Sequence, residues 1–224
     1  MGNYILIKDA NFAENVIVER VTIIDGVKIF VEGTDGGTVR GGGRYTEGSQ
    51  VTLIATADAG YVLSHWTKDG VFFSYASTLQ IIADESAIYK AVFIEATNVF
   101  NPLTARRNYG YNSSGAIVTS NGFIMSDFID ISSANKVVWS GLEFIGGVEG
   151  AAILSGTATD TGGNRTRNTD ITNTSSGEYV LTAEEKQTYS YASFCVFRKG
   201  SGSSSEKQEA AANADLSGVK IYLV

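Results

Sequence analysis

Gln50-Val51-Thr52-Leu53-Ile54-Ala55-Thr56-Ala57 is the stretch that decides the fold class. Val51, Leu53, Ala55 and Ala57 share one parity, and Thr52 and Thr56 share the other. A strand sends successive side chains to opposite faces, so this period of two marks a strand with one buried face. The neighbouring sequence repeats the theme. Thr34-Asp35-Gly36-Gly37 and Asp58-Ala59-Gly60 have turn composition, and Tyr61-Val62-Leu63-Ser64-His65-Trp66 runs on to a further turn at Lys68-Asp69-Gly70. Val27-Lys28-Ile29-Phe30-Val31, Thr78-Leu79-Gln80-Ile81-Ile82 and Tyr89-Lys90-Ala91-Val92-Phe93 complete the set. Short strands with turn signals about every 8–12 residues predict a small β domain.

Composition extends that expectation to the whole chain. Of its 224 residues 43 % are hydrophobic, enough to build cores, and 25 glycines punctuate short Val, Ile, Tyr and Phe runs. The chain is read as all-β. Its net charge is −7 and no basic stripe is present, which argues against a nucleic-acid partner. No run approaches the roughly 18 apolar residues of a spanning helix, so no membrane insertion is expected. Met1-Gly2-Asn3-Tyr4 opens without a basic, then apolar, leader, and Leu6 departs from the myristoylation pattern.

Four parts follow along the chain. Residues 1–26 carry Tyr4-Ile5-Leu6-Ile7, Val16-Ile17-Val18 and Val21-Thr22-Ile23-Ile24 before an Asp25-Gly26 turn, and are read as an N-terminal anchoring segment. Residues 27–96 are the small β domain. Residues 97–108, which hold the single proline, Pro102, are read as a linker. Residues 109–224 contain eight strand candidates: 116–119, 123–125, 128–131, 136–139, 151–154, 179–181, 191–197 and 219–224. That number in one unit predicts a β-sandwich of jelly-roll type. Gly156–Asn173 and Gly200–Ala214 are long and polar, hence loops, with helical composition only from Glu206 onward. Thr182-x-x-Glu185 has the spacing of a helix capping box.

The chemistry of catalysis is thin. One histidine, His65, and one cysteine, Cys195, stand far apart in sequence, which removes a His-based zinc site and an intramolecular disulfide. Ser193-Phe194-Cys195-Val196-Phe197 is an apolar run, so the thiol reads as a small buried hydrophobe. His65 stands beside Trp66 in the strand candidate 61–66. Gly41-Gly42-Gly43-Arg44 lacks the Gly-Lys-Ser/Thr ending of a phosphate-binding loop. Asp127 and Asp130 are three apart, so on a strand they face opposite sides, which suits a turn residue and a solvated residue better than an acid–base pair. No catalytic, cofactor-binding or metal-binding residue is assigned, and no enzyme is expected. Binding has better candidates. Sugar recognition uses a flat ring with polar neighbours, and Tyr109, Tyr111 and Asn112 have that character, as do Asn164, Arg165 and Arg167 in the polar stretch. The plainer reading makes the tyrosines core residues and the stretch a solvated loop.

Gly36-Gly37-Thr38-Val39, Gly42-Gly43-Arg44-Tyr45, Glu47-Gly48, Val51-Thr52-Leu53, Ala55, Ala57, Gly60-Tyr61, Trp66, Asp69-Gly70 and Ala91-Val92-Phe93 give residues 36–93 a further meaning. In order and spacing they resemble the InlB B-repeat-like, or Listeria–Bacteroides, family. The resemblance implies a small β-grasp-like module of surface and extracellular proteins, a spacer or interaction unit without a catalytic site. Tyr109-Gly110-Tyr111-Asn112, Gly115-Ala116-Ile117-Val118, Ser126-Asp127-Phe128-Ile129-Asp130-Ile131 and Val138-Trp139-Ser140-Gly141 are similar to segments of sandwich domains in phage tail-fibre and virion proteins of gut Bacteroidetes hosts. That similarity implies a fibre, spike or capsid decoration on a virion, partnered by other virion proteins and a host surface glycan, and a homo-oligomer, a trimer. A bacterial cell-surface adhesin or a carbohydrate-binding accessory module is the alternative.

Overall fold

The computed structural model describes residues 26–160 and 163–224. The anchoring segment expected over residues 1–26 lies, except for Gly26, outside the described residues.

The first domain is two facing sheets. β1 (Val27–Gly33), β3 (Gly43–Tyr45), β5 (Tyr61–Lys68), β6 (Val71–Ser74) and β8 (Ala87–Glu95) form one, in the order β3-β1-β8-β5-β6. β2 (Gly37–Arg40), β4 (Gln50–Ala57) and β7 (Thr78–Ile82) form the other, with β4 in the middle. The alternation that decided the fold class holds residue by residue. Val51, Leu53 and Ala55 of β4 are buried, and Gln50, Thr52, Ile54 and Thr56 are exposed. They pack on Ile29, Leu63, Trp66, Tyr89, Ala91 and Phe93 of the opposite sheet. β1 and β8 are parallel neighbours, Phe30 opposite Ile88, and the remaining pairs of this sheet are antiparallel. Asp69 and Gly70, with φ of 50° and 83°, make the turn between β5 and β6. β6 lies outside the predicted set. Val71, Phe72 and Phe73 are all exposed on an edge strand, so no alternation marks it.

The second domain is a sandwich. β9 (Arg106–Tyr111), β10 (Ile117–Met125), β11 (Ile129–Asp130), β13 (Glu143–Ile145), β14 (Ala152–Ser155), β15 (Arg165–Asn168) and β17 (Tyr191–Lys199) form a seven-stranded sheet. β12 (Lys136–Ser140), β16 (Gly177–Val180) and β18 (Lys220–Leu223) form a three-stranded one. Val137, Trp139 and Ile221 of the small sheet meet Ile124, Ala152, Leu154, Phe194 and Val196 of the large one. β17 is the centre of the large sheet, with β10 and β11 along one edge and β13 and β14 along the other. Both of its faces are covered. Cys195 joins Ile117, Met125 and Ile153 in a second, smaller cluster, which is why residues 192–197 are buried without a break and without alternation, with Ser193 satisfied by donating to Ser126 O.

Three expectations change here. The stretches 116–119 and 123–125 are one strand, β10, whose pairing with β9 shifts register between Thr119 and Ile124. The polar stretch 156–173 holds β15, and 200–214 holds α2 (Ser204–Asn213). The expected linker 97–108 is largely built into the sandwich. Asn98 bridges Tyr222, Phe100 is 4 % exposed in the larger core, and β9 starts at Arg106. Pro102 occupies only the short turn between them. The capping box is present: Thr182 Oγ1 accepts from Glu185 N and Glu185 Oε2 accepts from Thr182 N, opening α1 (Ala183–Thr188).

Candidate functional site

Two places gather side chains beyond what either core requires: the junction of the domains and the outer face of the large sheet.

At the junction, β12 sends Val137 and Trp139 into the sandwich core, so Lys136 and Val138 point the other way. Glu178 of β16 and Tyr222 of β18 sit directly across from Val138 on either side. In an isolated sandwich this row would face water. Here the first domain docks on it, and Lys136 is completely buried. Its Nζ donates to Leu63 O at 2.7 Å, to Tyr75 O at 2.9 Å and to Glu178 Oε2 at 3.4 Å. An ammonium has three donors, and all three are used. Glu178 Oε1 in turn accepts from Ser77 N at 2.7 Å. Burial pulls the Lys136 ammonium below its usual pKa of 10.5, and the Glu178 carboxylate works against that shift. Beside the pair lies a cleft of about 280 Å³ between Ala55, Ala57, Tyr61 and Val62 on one wall and Val138 and Tyr222 on the other. The chain crossing between the domains is held too. Val99 N donates to Ile221 O, Ile221 N to Asn98 Oδ1, and Asn98 Nδ2 to Val219 O.

On the large sheet's outer face, strands from opposite edges come together. Arg167 of β15 lies 5.8 Å over the ring of Tyr111 of β9. Ile117 N donates to Asp160 O, which ties the start of β10 to the loop after β14. Tyr111 meets Phe123 edge-on at 5.7 Å, and Arg198 lies 4.7 Å over Phe123. Arg106 sits over both Tyr109, at 5.5 Å, and Phe128, at 5.7 Å, and pairs with the Asp160 carboxylate. Arginine over an aromatic face is a favourable cation–π contact, and the aliphatic stem covers apolar surface beside the rings. Burial raises the Tyr111 hydroxyl to about 12 and the Cys195 thiol to about 12. Neither group is poised for acid–base or nucleophilic work near neutral pH.

The residues singled out in the sequence divide accordingly. Tyr109, Tyr111 and Arg167 come together on this face. Arg165 is beside them, its guanidinium donating to the carbonyl oxygens of Asp160 and Thr159. Asn112 is spent locally: its Oδ1 accepts from Ser114 N, Ser114 Oγ and Ala116 N, which shapes the β9–β10 turn. Asn164 is exposed, and its backbone oxygen accepts from Gly156 N. Arg106, Phe123, Phe128 and Arg198 also belong to the face. Arg106 lay within the expected linker, and nothing beside Arg198 in sequence marks its place, since its aromatic neighbour Phe197 packs in the inner core. Lys136 and Glu178 carry no local signal at all.

His65 Nδ1 is 3.0 Å from Ser64 Oγ, and its ring is tilted against Phe72. Asp127 Oδ1 accepts from Phe128 N and Asp130 Oδ1 from Ser132 N, so both carboxylates cap local turns.

No curated protein and no solved structure matches the chain. Residues 27–97 match the family model of the divergent InlB B-repeat domain, and the match speaks for a surface or extracellular β domain.

Proposed function

We propose that this chain is a non-enzymatic attachment module displayed on a phage particle, as a fibre, spike or capsid decoration, and that its sandwich contacts a host surface glycan. The observation that carries the reading is the pairing of a divergent InlB B-repeat domain with a sandwich to which it is fastened by buried and half-buried hydrogen bonds. Such a joint makes the first domain a stiff spacer for the second. The aromatic–arginine face then supplies the contact surface. The inaccessible thiol of Cys195 and the turn-capping roles of Asp127 and Asp130 support a role without catalysis. The partners in this reading are other virion proteins and further copies of the chain, assembled as a trimer.

A bacterial cell-surface adhesin is the second reading, favoured by the same family match. Gold-conjugated antibody against the chain separates the two in a culture that makes both cells and particles. Label on particles supports the virion reading, and label confined to cell envelopes overturns it in favour of the adhesin. Light scattering behind a sizing column tests the trimer, expected at three times 23.8 kDa. A monomer at all concentrations would remove the fibre and leave a decoration protein.

A further inference from the structure

We infer that the aromatic–arginine face of the sandwich takes an acidic saccharide, one bearing carboxylate or sulfate groups on its rings. The inference rests on the attachment reading above and names the class of ligand at that site.

Arg106, Arg167 and Arg198 each lie over a ring of one connected patch. The patch is continuous because Tyr111 touches Phe123, and Tyr111, Phe123 and Phe128 all pack on the cluster of Ile117, Met125, Ile153 and Cys195. Arg165 adds a fourth guanidinium beside Asp160. Among the described residues the ion pair on this face is that of Asp160 with Arg106, and Arg198 Nη1 donates to the backbone oxygen of Glu149 at 2.7 Å. Among the described residues neither Arg167 nor Arg198 makes an ion pair. Nε and Nη2 of Arg106 and Nε of Arg198 are buried with no hydrogen-bond partner. Arg106, Arg165 and Arg198 are half-buried and so screened less than the exposed Arg167, and together the four guanidiniums give this face positive charge on a chain whose net charge is −7.

Guanidinium groups grip carboxylate and sulfate oxygens in a two-pronged geometry that a neutral hydroxyl does not match. Tyr109, 37 % exposed, adds a ring against which the apolar face of a sugar can lie. Charge and ring together select an acidic sugar over a neutral one.

The test is calorimetric titration of the full chain with tetragalacturonate, its fully methyl-esterified form, sialyllactose, a heparin-derived tetrasaccharide and tetraglutamate. At least one acidic saccharide binds, with an affinity that falls as salt rises, and neither the ester nor tetraglutamate does. Arg167→Ala and Tyr109→Ala each weaken that binding about tenfold, a loss of about 1.4 kcal/mol, while the far-ultraviolet circular dichroism stays unchanged. Equal binding of acid and ester would overturn the acidic class yet leave an attachment surface. Binding of tetraglutamate would turn the face into an acidic-peptide site. Binding of none of the acidic saccharides, or full binding by Arg167→Ala, would end the inference. The antibody labelling above decides the attachment reading separately.

Discussion

The Nζ of Lys136 lies 2.7 Å from the carbonyl oxygen of Leu63, and the two residues belong to different domains. A strand lysine thereby becomes the fastening of the molecule. Its charge is buried, satisfied by two backbone carbonyls and one carboxylate, and all three lose this donor if the ammonium is removed, the carboxylate keeping Ser77 N.

Lys136→Met keeps the stem and deletes the charge. Breaking a buried ionic network on one side costs about 3–5 kcal/mol. The expected thermogram has the first domain melting earlier than, and apart from, the sandwich. A single transition at the wild-type temperature would show that the junction is not held by this side chain.

Trp66 is fully buried in the first core, and its Nε1 donates to Ala76 O at 3.0 Å. Trp66→Ala removes the largest side chain of that cluster, at a cost of about 3–5 kcal/mol. Denaturant titration should show the first domain unfolded or nearly so, with the near-ultraviolet signal of Trp139 in the sandwich retained. An unchanged midpoint would place Trp66 outside the core.

The alkaline limb of stability follows from Cys195 and Tyr111. Both have folded pKa values near 12, raised from 9.0 and 10.0 by burial. Raised acids of this kind bind more protons folded than unfolded, so their contribution is complete below about pH 9 and is lost as the pH climbs towards 12. Cys195→Val should flatten the onset of that loss in a pH series of urea midpoints. Consistently, the thiol should ignore a water-soluble disulfide reagent until denaturant is added. Rapid native labelling would contradict its burial.

Gly36 and Gly37 are required for different reasons. Gly36 has φ of 98°, and a Cβ there would meet Tyr61 Cδ1 at 2.2 Å, while a Cβ on Gly37 would fall 2.4 Å from Phe93 Cζ. Each change to Ala should cost about 1–3 kcal/mol through strain or overpacking. A stability equal to wild type for both variants would mean that the turn and its rings can shift freely.

Much of the architecture was already written in local pattern. The parity of Val51, Leu53, Ala55 and Ala57, the Asp69-Gly70 turn and the Thr182–Glu185 capping box each depend on residues close in sequence, and each stands where expected. β6, β9 and β15 did not show, because edge strands such as the mostly exposed Val71–Ser74 and the half-buried, polar Arg165–Asn168 carry no apolar alternation. The binding residues were half legible. Tyr109 and Tyr111 could be picked out by type, but their meeting with Arg167 needs the opposite edges of one sheet to approach. Lys136 was beyond reach of any local reading. A lysine in a strand is ordinarily solvated, and only the docking of a second domain, whose carbonyl groups lie more than sixty residues away, turns it into a buried pin. Sequence by itself determined the all-β class and those strands and turns that carry an apolar alternation or a turn pair, because short-range sterics and the burial of alternating faces act within a few residues. Tertiary structure alone decided the joint and the arginine-capped face, because both depend on charges brought together from distant strands.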